Sequence, residues 1–266
     1  MQLISTHSAL GAYEKVLHYF EKKACKHNHN FEIQDLFLEM KGRLNEVSDL
    51  RAFLDYVSEK EPQTLGKGFR KAERAYVRIG DRITKPSYIK RIRAFPDYSG
   101  RDEKVKVIDQ IRSVARVFCA EPNASYHVIS IFRPIDLMEK FRPGYVPCVV
   151  SADFKYRDGK LNGKFFFRSC DAFNLLPLDI FYCFGILEQL YQEVVSRDFD
   201  GDLSIGDVTF WFSRIYISRF DIDRREEMLK LIAKFRSGAT SRRGRSTTAS
   251  LRRKQQSLIA RLGQAE

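Results

Sequence analysis

The chain has no run approaching roughly 18 uninterrupted apolar residues, which sets aside a membrane-spanning helix. Its first residues, Met1 to His7, carry no basic stretch followed by an apolar core. A secretory leader is therefore not expected, and a cytoplasmic location is. Cysteine is sparse: Cys25, Cys119, Cys148, Cys170 and Cys183 are odd in number, widely spaced and without a CxxC pair. Such spacing excludes a disulfide scaffold and predicts free thiols in a reducing compartment, of which at most one needs a chemical role. Internal repeats are absent. The string Cys25-x-His27-x-His29 has no evident fourth ligand, so no metal site is read from it.

What is present is globular composition: 44% hydrophobic residues, with 21 Phe and 12 Tyr among 266. The net charge of +12 is unevenly spread. Residues 234–266 hold nine Lys/Arg against Glu266 alone, so eight of the twelve net charges lie there. The remaining four over residues 1–233 are ordinary for an anion-binding enzyme. From about Ser237, Ser, Thr, Gly and Arg dominate. Two regions follow: a folded domain over 1–236 and a flexible basic tail over 237–266, able to engage nucleic acid, an acidic partner or another subunit.

Apolar spacing predicts helices over residues 9–24, 33–40 and 46–58, and over 105–118 before the Glu121-Pro122-Asn123 turn. The second should end near Gly42. Residues 59–87 are charged and irregular. Tyr126 to Phe132 reads as a strand. Asp158-Gly159 between two β-rich runs predicts a hairpin, because Asp-Gly tolerates positive φ. After Pro177, the run Leu178–Val195 predicts a long buried helix, and 203–217 reads as strand around a turn at Gly206-Asp207. Helices first and strands later imply an α+β fold, a mixed sheet packed with helices.

The stretch carrying chemistry is Val146-Pro147-Cys148, the hairpin, Arg168-Ser169-Cys170-Asp171, and Leu176-Pro177-Leu178-Asp179. In this order it resembles the thymidylate synthase and pyrimidine nucleotide hydroxymethylase superfamily. There a nucleophilic Cys after Pro opens a hairpin, followed by Arg-Ser-x-Asp and a Leu-Pro-x-Asn turn into a long helix. Tyr88-Ile89-Lys90-Arg91-Ile92-Arg93 is similar to the family's Tyr-Gly-x-Gln-Trp-Arg segment. Asp35-Leu36-Phe37 resembles the start of its early Glu-Leu-Leu helix, and Tyr216 its late strand. The likeness runs over 145–185 and 88–135, touches 30–46 and 203–221, and is absent from the tail.

The resemblance implies a homodimeric transferase on a pyrimidine nucleotide, with 5,10-methylenetetrahydrofolate as one-carbon donor. Cys148 would add to C6 and make C5 nucleophilic, which a thiolate does well. Arg168 would lower the thiol's pKa and, with Ser169, bind phosphate. Asp171 would hold base or folate, Tyr216 the ribose, and Asp35 would stand for the early catalytic Glu. Tyr88 belongs to the substrate-binding set.

Four departures shape the expectation. Asp179 replaces the family's Asn, and a carboxyl that donates to one and accepts from the other pairs better with the amino group and N3 of cytosine, as in cytidylate and deoxycytidylate hydroxymethylases. Tyr126-His127 replaces the cross-subunit Arg pair, with Arg93, Arg133 and Arg142 as candidates to replace its charge. Arg214-Ile215-Tyr216 stands for His-x-Tyr, and Val149 for the His after the nucleophile. The apolar closing segment at the C-terminus gives way to the basic tail, which favours water quenching over methyl formation. The expected activity is cytidylate or deoxycytidylate hydroxymethylation. The alternatives are a uracil nucleotide methylase or hydroxymethylase, or a non-catalytic nucleotide- or nucleic-acid-binding protein with this fold.

Overall fold

Apolar residues at period two build the strands and at period near 3.6 the helices, and the two sets share one core. The computed structural model describes residues 2–41, 47–61, 88–97, 106–138 and 146–242. The first half comprises β1 (Gln2–Thr6), α1 (Ala9–Lys23), β2 (Cys25–His27), β3 (Asn30–Met40) and α2 (Val47–Lys60). Next come α3 (Tyr88–Arg93), β4 (Phe95–Asp97), β5 (Lys106–Ile108), α4 (Gln110–Ala120), β6 (Val128–Ser130) and α5 (Ile135–Met138). The second half is β7 (Val149–Arg157), β8 (Lys160–Phe167), β9 (Cys170–Asp171), α6 (Leu176–Val195), β10 (Ser204–Ser218) and α7 (Arg224–Arg242).

The architecture is α+β. A mixed sheet runs β1-β3-β10-β8-β7-β6, with β2 added to β3 and β9 to β10. The pairs β1–β3 and β10–β8 are parallel, and β3–β10 and β7–β8 antiparallel. The expected hairpin is present: Asp158 and Gly159 have φ of 51° and 71°, both in the left-handed region that a two-residue turn of this kind requires. The expected long helix is α6, begun by Pro177 and buried through Ile180, Cys183, Phe184, Leu187 and Leu190. It packs on β8 and β10, with α4 and α1 beside it.

Three local expectations need correction. Residues 33–40 form strand, not helix: Leu36, Leu38 and Met40 are buried at period two, with β1 on one side and β10 on the other. Two flanking ladders outweigh a short helical pattern. Residues 106–108 form β5, and the helix starts only after Asp109, whose side chain accepts from the Arg112 amide at 3.0 Å. Gly206-Asp207 is not a turn but an irregularity inside the continuous β10. There the Asp207 amide donates to Asn162 Oδ1 at 2.8 Å, so close that a Cβ on Gly206 would stand 2.3 Å from that oxygen.

Strand character at 126–132 is confined to β6. The expected helix end at Gly42 lies outside the described residues, as do 62–87. Helix α7 runs through Arg242, past the boundary read at residue 236, and residues 243–266 lie outside the described set.

One crease crosses the sheet. On β7 the buried positions step from Val149 to Ala152, on β8–β9 from Phe167 to Cys170, on β10 from Phe212 to Ile215, and on β3 from Ile33 to Leu36. Each step is three residues where a flat strand takes two. On β7 the extra residue is Val150, and on β3 Asp35 takes a φ of 51°. Neighbouring strands carry the crease side by side, and Arg168, Ser169 and Arg214 lie in it.

The face of the sheet away from α6 carries an apolar row. Leu3, Phe37, Trp211 and Phe166 are partners in register across four strands. Trp211 stacks on Phe37 at 5.5 Å and meets Phe166 at 4.7 Å, yet remains 41% exposed, and Leu3 59%. Among the described residues, no helix is long and apolar enough to cross a membrane.

Candidate active site

Cys148 sits where the chain enters β7. Its amide donates to the Tyr88 hydroxyl at 2.9 Å, so α3 holds the backbone of the nucleophile. Tyr88 is buried and its ring lies 4.7 Å from that of Tyr182 on α6. Arg168 follows β8. Its amide donates to the Cys148 carbonyl at 3.0 Å. Its guanidinium donates to Pro147 O at 2.9 Å and Val146 O at 2.8 Å, clamping the two residues before the thiol. Ser169 Oγ lies 4.0 Å from Cys148 Sγ.

Asp171 is committed to the turn that follows. It accepts from the Phe173 and Asn174 amides at 3.0 and 3.1 Å and from Asn174 Nδ2 at 3.0 Å. Burial raises its pKa, and Asp221 adds to the shift. Tyr216 pairs in register with Asp171, and Arg214 lies over its ring at 4.9 Å. Its hydroxyl is pushed up to about 12, by burial first and by Asp171 next.

Asp179 is fully buried in the first turn of α6. The N-cap is Leu175, so Asp179 does not cap this helix. Its Oδ2 accepts from the Cys170 thiol at 3.3 Å. The fold therefore gathers Cys148, Tyr88, Arg168, Ser169, Asp171, Asp179 and Tyr216 into one cluster. Sequence reasoning missed Cys170, Tyr182 and Asn174. Cys170 was legible as the variable letter of Arg-Ser-x-Asp, while Tyr182 carries no signal apart from helical spacing.

Asp35 is not brought beside Cys148, although β3 adjoins β10, the strand of Tyr216. It is exposed on β3, three strand positions from β7, roughly 14 Å at about 4.8 Å per step. The replacement for the Arg pair is also not a charged one. His127 is fully buried against Phe118, 5.1 Å away, and among the described residues neither ring nitrogen meets a well-formed hydrogen-bond partner. Burial lowers its pKa, which keeps the ring neutral. Two candidate phosphate ligands are engaged elsewhere. Arg93 pairs with Asp109 at 3.0 Å and Gln189 at 3.0 Å, and Arg133 with Asp136 at 3.2 Å. Arg142 lies outside the described residues. Cys25 and His27 are on the short exposed β2. Among the described residues, no three His, Cys, Asp or Glu side chains are gathered as a metal would need.

The electrostatics of the thiol oppose the sequence expectation. Arg168 and the Ser169 hydroxyl do lower the Cys148 pKa, but burial and then Asp179 outweigh them and push it up to about 11. In the ligand-free protein the group is a thiol. Iodoacetamide alkylation of Cys148, followed by peptide mass spectrometry, should therefore be slow at neutral pH and rise with a midpoint of about 11. Asp179→Asn should move that midpoint down, because it removes the nearby negative charge. A midpoint near 8 in the wild-type protein would contradict this account.

The thymidylate synthase family model matches residues 53–231, a span that holds every member of the cluster. Members of that family transfer one-carbon units to C5 of pyrimidine nucleotides and generally use methylenetetrahydrofolate. Family match, mixed sheet and the Cys148–Arg168–Ser169–Asp171 arrangement agree: the chain belongs to the thymidylate synthase family.

Proposed function

We propose that this protein hydroxymethylates C5 of a cytosine nucleotide, with Cys148 as nucleophile. The observation carrying the reading is Asp179: a fully buried carboxyl, close enough to Cys148 to raise its pKa, at the family's Asn position. A carboxyl that accepts from the amino group and donates to N3 matches the edge of cytosine, whereas uracil presents O4 and N3–H, the reverse pattern.

In the proposed reaction Cys148 Sγ adds to C6, and the electron pair of the C5=C6 bond moves onto C5 and the adjoining C4–N3 system. C5 then bonds to a one-carbon electrophile, and loss of the C5 proton expels the carrier amine from that carbon with its bonding pair, leaving C5 joined to it by a double bond. Water adds to the resulting exocyclic methylene as Sγ leaves C6, giving the hydroxymethyl base and a free thiol. Methylenetetrahydrofolate, when bound, supplies that carbon at the oxidation level of formaldehyde. The residues fit it in kind: Tyr182 offers flat apolar surface, and Asp171 Oδ2, which takes only one of the turn's three bonds, keeps a lone pair for a ring N–H. Arg168 and Ser169 would meet the phosphate.

Purified protein given [5-³H]CMP or [5-³H]dCMP with methylenetetrahydrofolate should release tritium to water, and Cys148→Ala should abolish release. No release from any cytosine or uracil nucleotide would sink the enzyme reading. Release from uracil nucleotides alone would favour the thymidylate synthase-type alternative.

A homodimer is part of the proposal. The row Leu3, Phe37, Trp211 and Phe166 is an apolar strip, exposed at Leu3 and Trp211 and half-buried at Phe37 and Phe166, on the sheet face away from α6, and a second copy of that face would cover it. Trp211→Asp should shift the mass measured by light scattering from dimer to monomer. A wild-type monomer at micromolar concentration would refute the dimer.

A further inference from the structure

The contact between Cys170 and Asp179 has a geometry that base recognition can use. Cys170 lies on β9, opposite Ile215 of β10, and is fully buried. Across the interior, Asp179 lies in the first turn of α6, and is fully buried too. The thiol donates to Oδ2 at 3.3 Å. This bond ties the helix carrying the base-reading carboxyl to the strand that continues from Arg168 and Ser169.

We propose that Cys170 is a positioning residue: its thiol fixes the plane of the Asp179 carboxyl and holds Oδ2 as the acceptor, so that the site reads an exocyclic amino group. The inference rests on the cytosine reading above and extends it to a residue that touches no substrate.

The thiol of Cys170 takes one lone pair of Oδ2 and marks that oxygen as the acceptor, so a carboxyl proton belongs on Oδ1. Oδ2 then has a lone pair for the amino group of cytosine, and the Oδ1 hydroxyl faces N3. Uracil reverses both partners, presenting O4 in place of the amino group and N3–H in place of N3. Without the thiol the carboxyl can turn over, so that its hydroxyl meets O4 and its other oxygen accepts from N3–H. Discrimination between the bases would then relax even though Asp179 is retained.

Two measurements test this on the full-length protein. The first is the infrared S–H band of Cys170, assigned as the band lost in Cys170→Ala. It should lie at lower wavenumber than a free thiol and move back in Asp179→Asn, with no ligand present. The second is calorimetric binding of CMP, dCMP, UMP and dUMP. Cys170→Ala should reduce the preference for cytosine over uracil by about fivefold, the effect of one modest hydrogen bond. Cys170→Ser, which restores a donor of similar size, should recover it. A band that does not respond to Asp179→Asn overturns the inference, as does unchanged base preference in Cys170→Ala. Failure of the parent reading looks different: the wild-type protein would then show no preference for cytosine at all.

Discussion

Asp179→Asn should collapse the preference for cytosine nucleotides, shifting the cytosine-to-uracil ratio of kcat/KM by about 10²-fold or more. The carboxyl accepts from the amino group and turns its other oxygen to N3, a pairing that uracil reverses. An amide gains an N–H that can meet O4. A site whose buried polar groups are left unpaired by the wrong base discriminates strongly, and the substitution removes that mismatch for uracil. The same change lowers the Cys148 pKa by removing a neighbouring negative charge. Uracil turnover should therefore rise while cytosine turnover falls. Competition between ³H- and ¹⁴C-labelled nucleotides in one tube would measure the ratio directly. An unchanged ratio would mean that Asp179 does not read the base.

The second large effect should come from outside the cluster. Arg91 on α3 and Asp136 on α5 form a buried pair, each at most 2% exposed, with bonds of 2.6 and 2.9 Å. Arg91 also donates to Ile131 O at 3.2 Å, and the Arg133 amide donates to Asp136 at 2.7 Å. Asp136→Ala leaves the Arg91 guanidinium buried without its carboxylate, which should destabilise the protein by roughly 3–5 kcal/mol. Urea denaturation would measure it, and a loss below about 1 kcal/mol would contradict the burial argument. Tyr88 shares α3 with Arg91, so the Cys148 amide should lose part of its support as well.

The pH dependence of this pair has a definite sign. Although burial alone would raise it, the Asp136 pKa is held below its usual value by Arg91, the Arg133 amide and the Arg133 guanidinium. A carboxylate depressed in the folded state stabilises above its unfolded pKa, near 4. That contribution disappears as pH falls through the lower folded value. The stability difference between wild type and Asp136→Ala, measured by urea denaturation at a series of pH values, should therefore be full above about pH 4 and shrink as the pH falls below it.

Several features were legible because they depend on neighbours in the chain. Asp158-Gly159 specifies a tight reversal through the φ values those residues tolerate, and Pro177 before an apolar run specifies the start of α6. Cys148, Arg168, Ser169, Asp171 and Asp179 could be ordered along the chain by motif, and the family match spans them all. Residues 33–40 were misread because Leu36, Phe37 and Leu38 satisfy either period, and only pairing with β1 and β10 decides between them. Asp35 moved away with that correction.

What the sequence by itself determined was the fold class, the hairpin, the long helix and the nucleophile's place in a recognisable order. Backbone dihedral preference and hydrophobic period are local, so a linear reading captures them. Only the tertiary structure decided the crease across four strands, the Arg91–Asp136 pair and the contact between Cys170 and Asp179. It alone revealed that Cys148 rests as a thiol, because desolvation and charge act through space rather than along the chain.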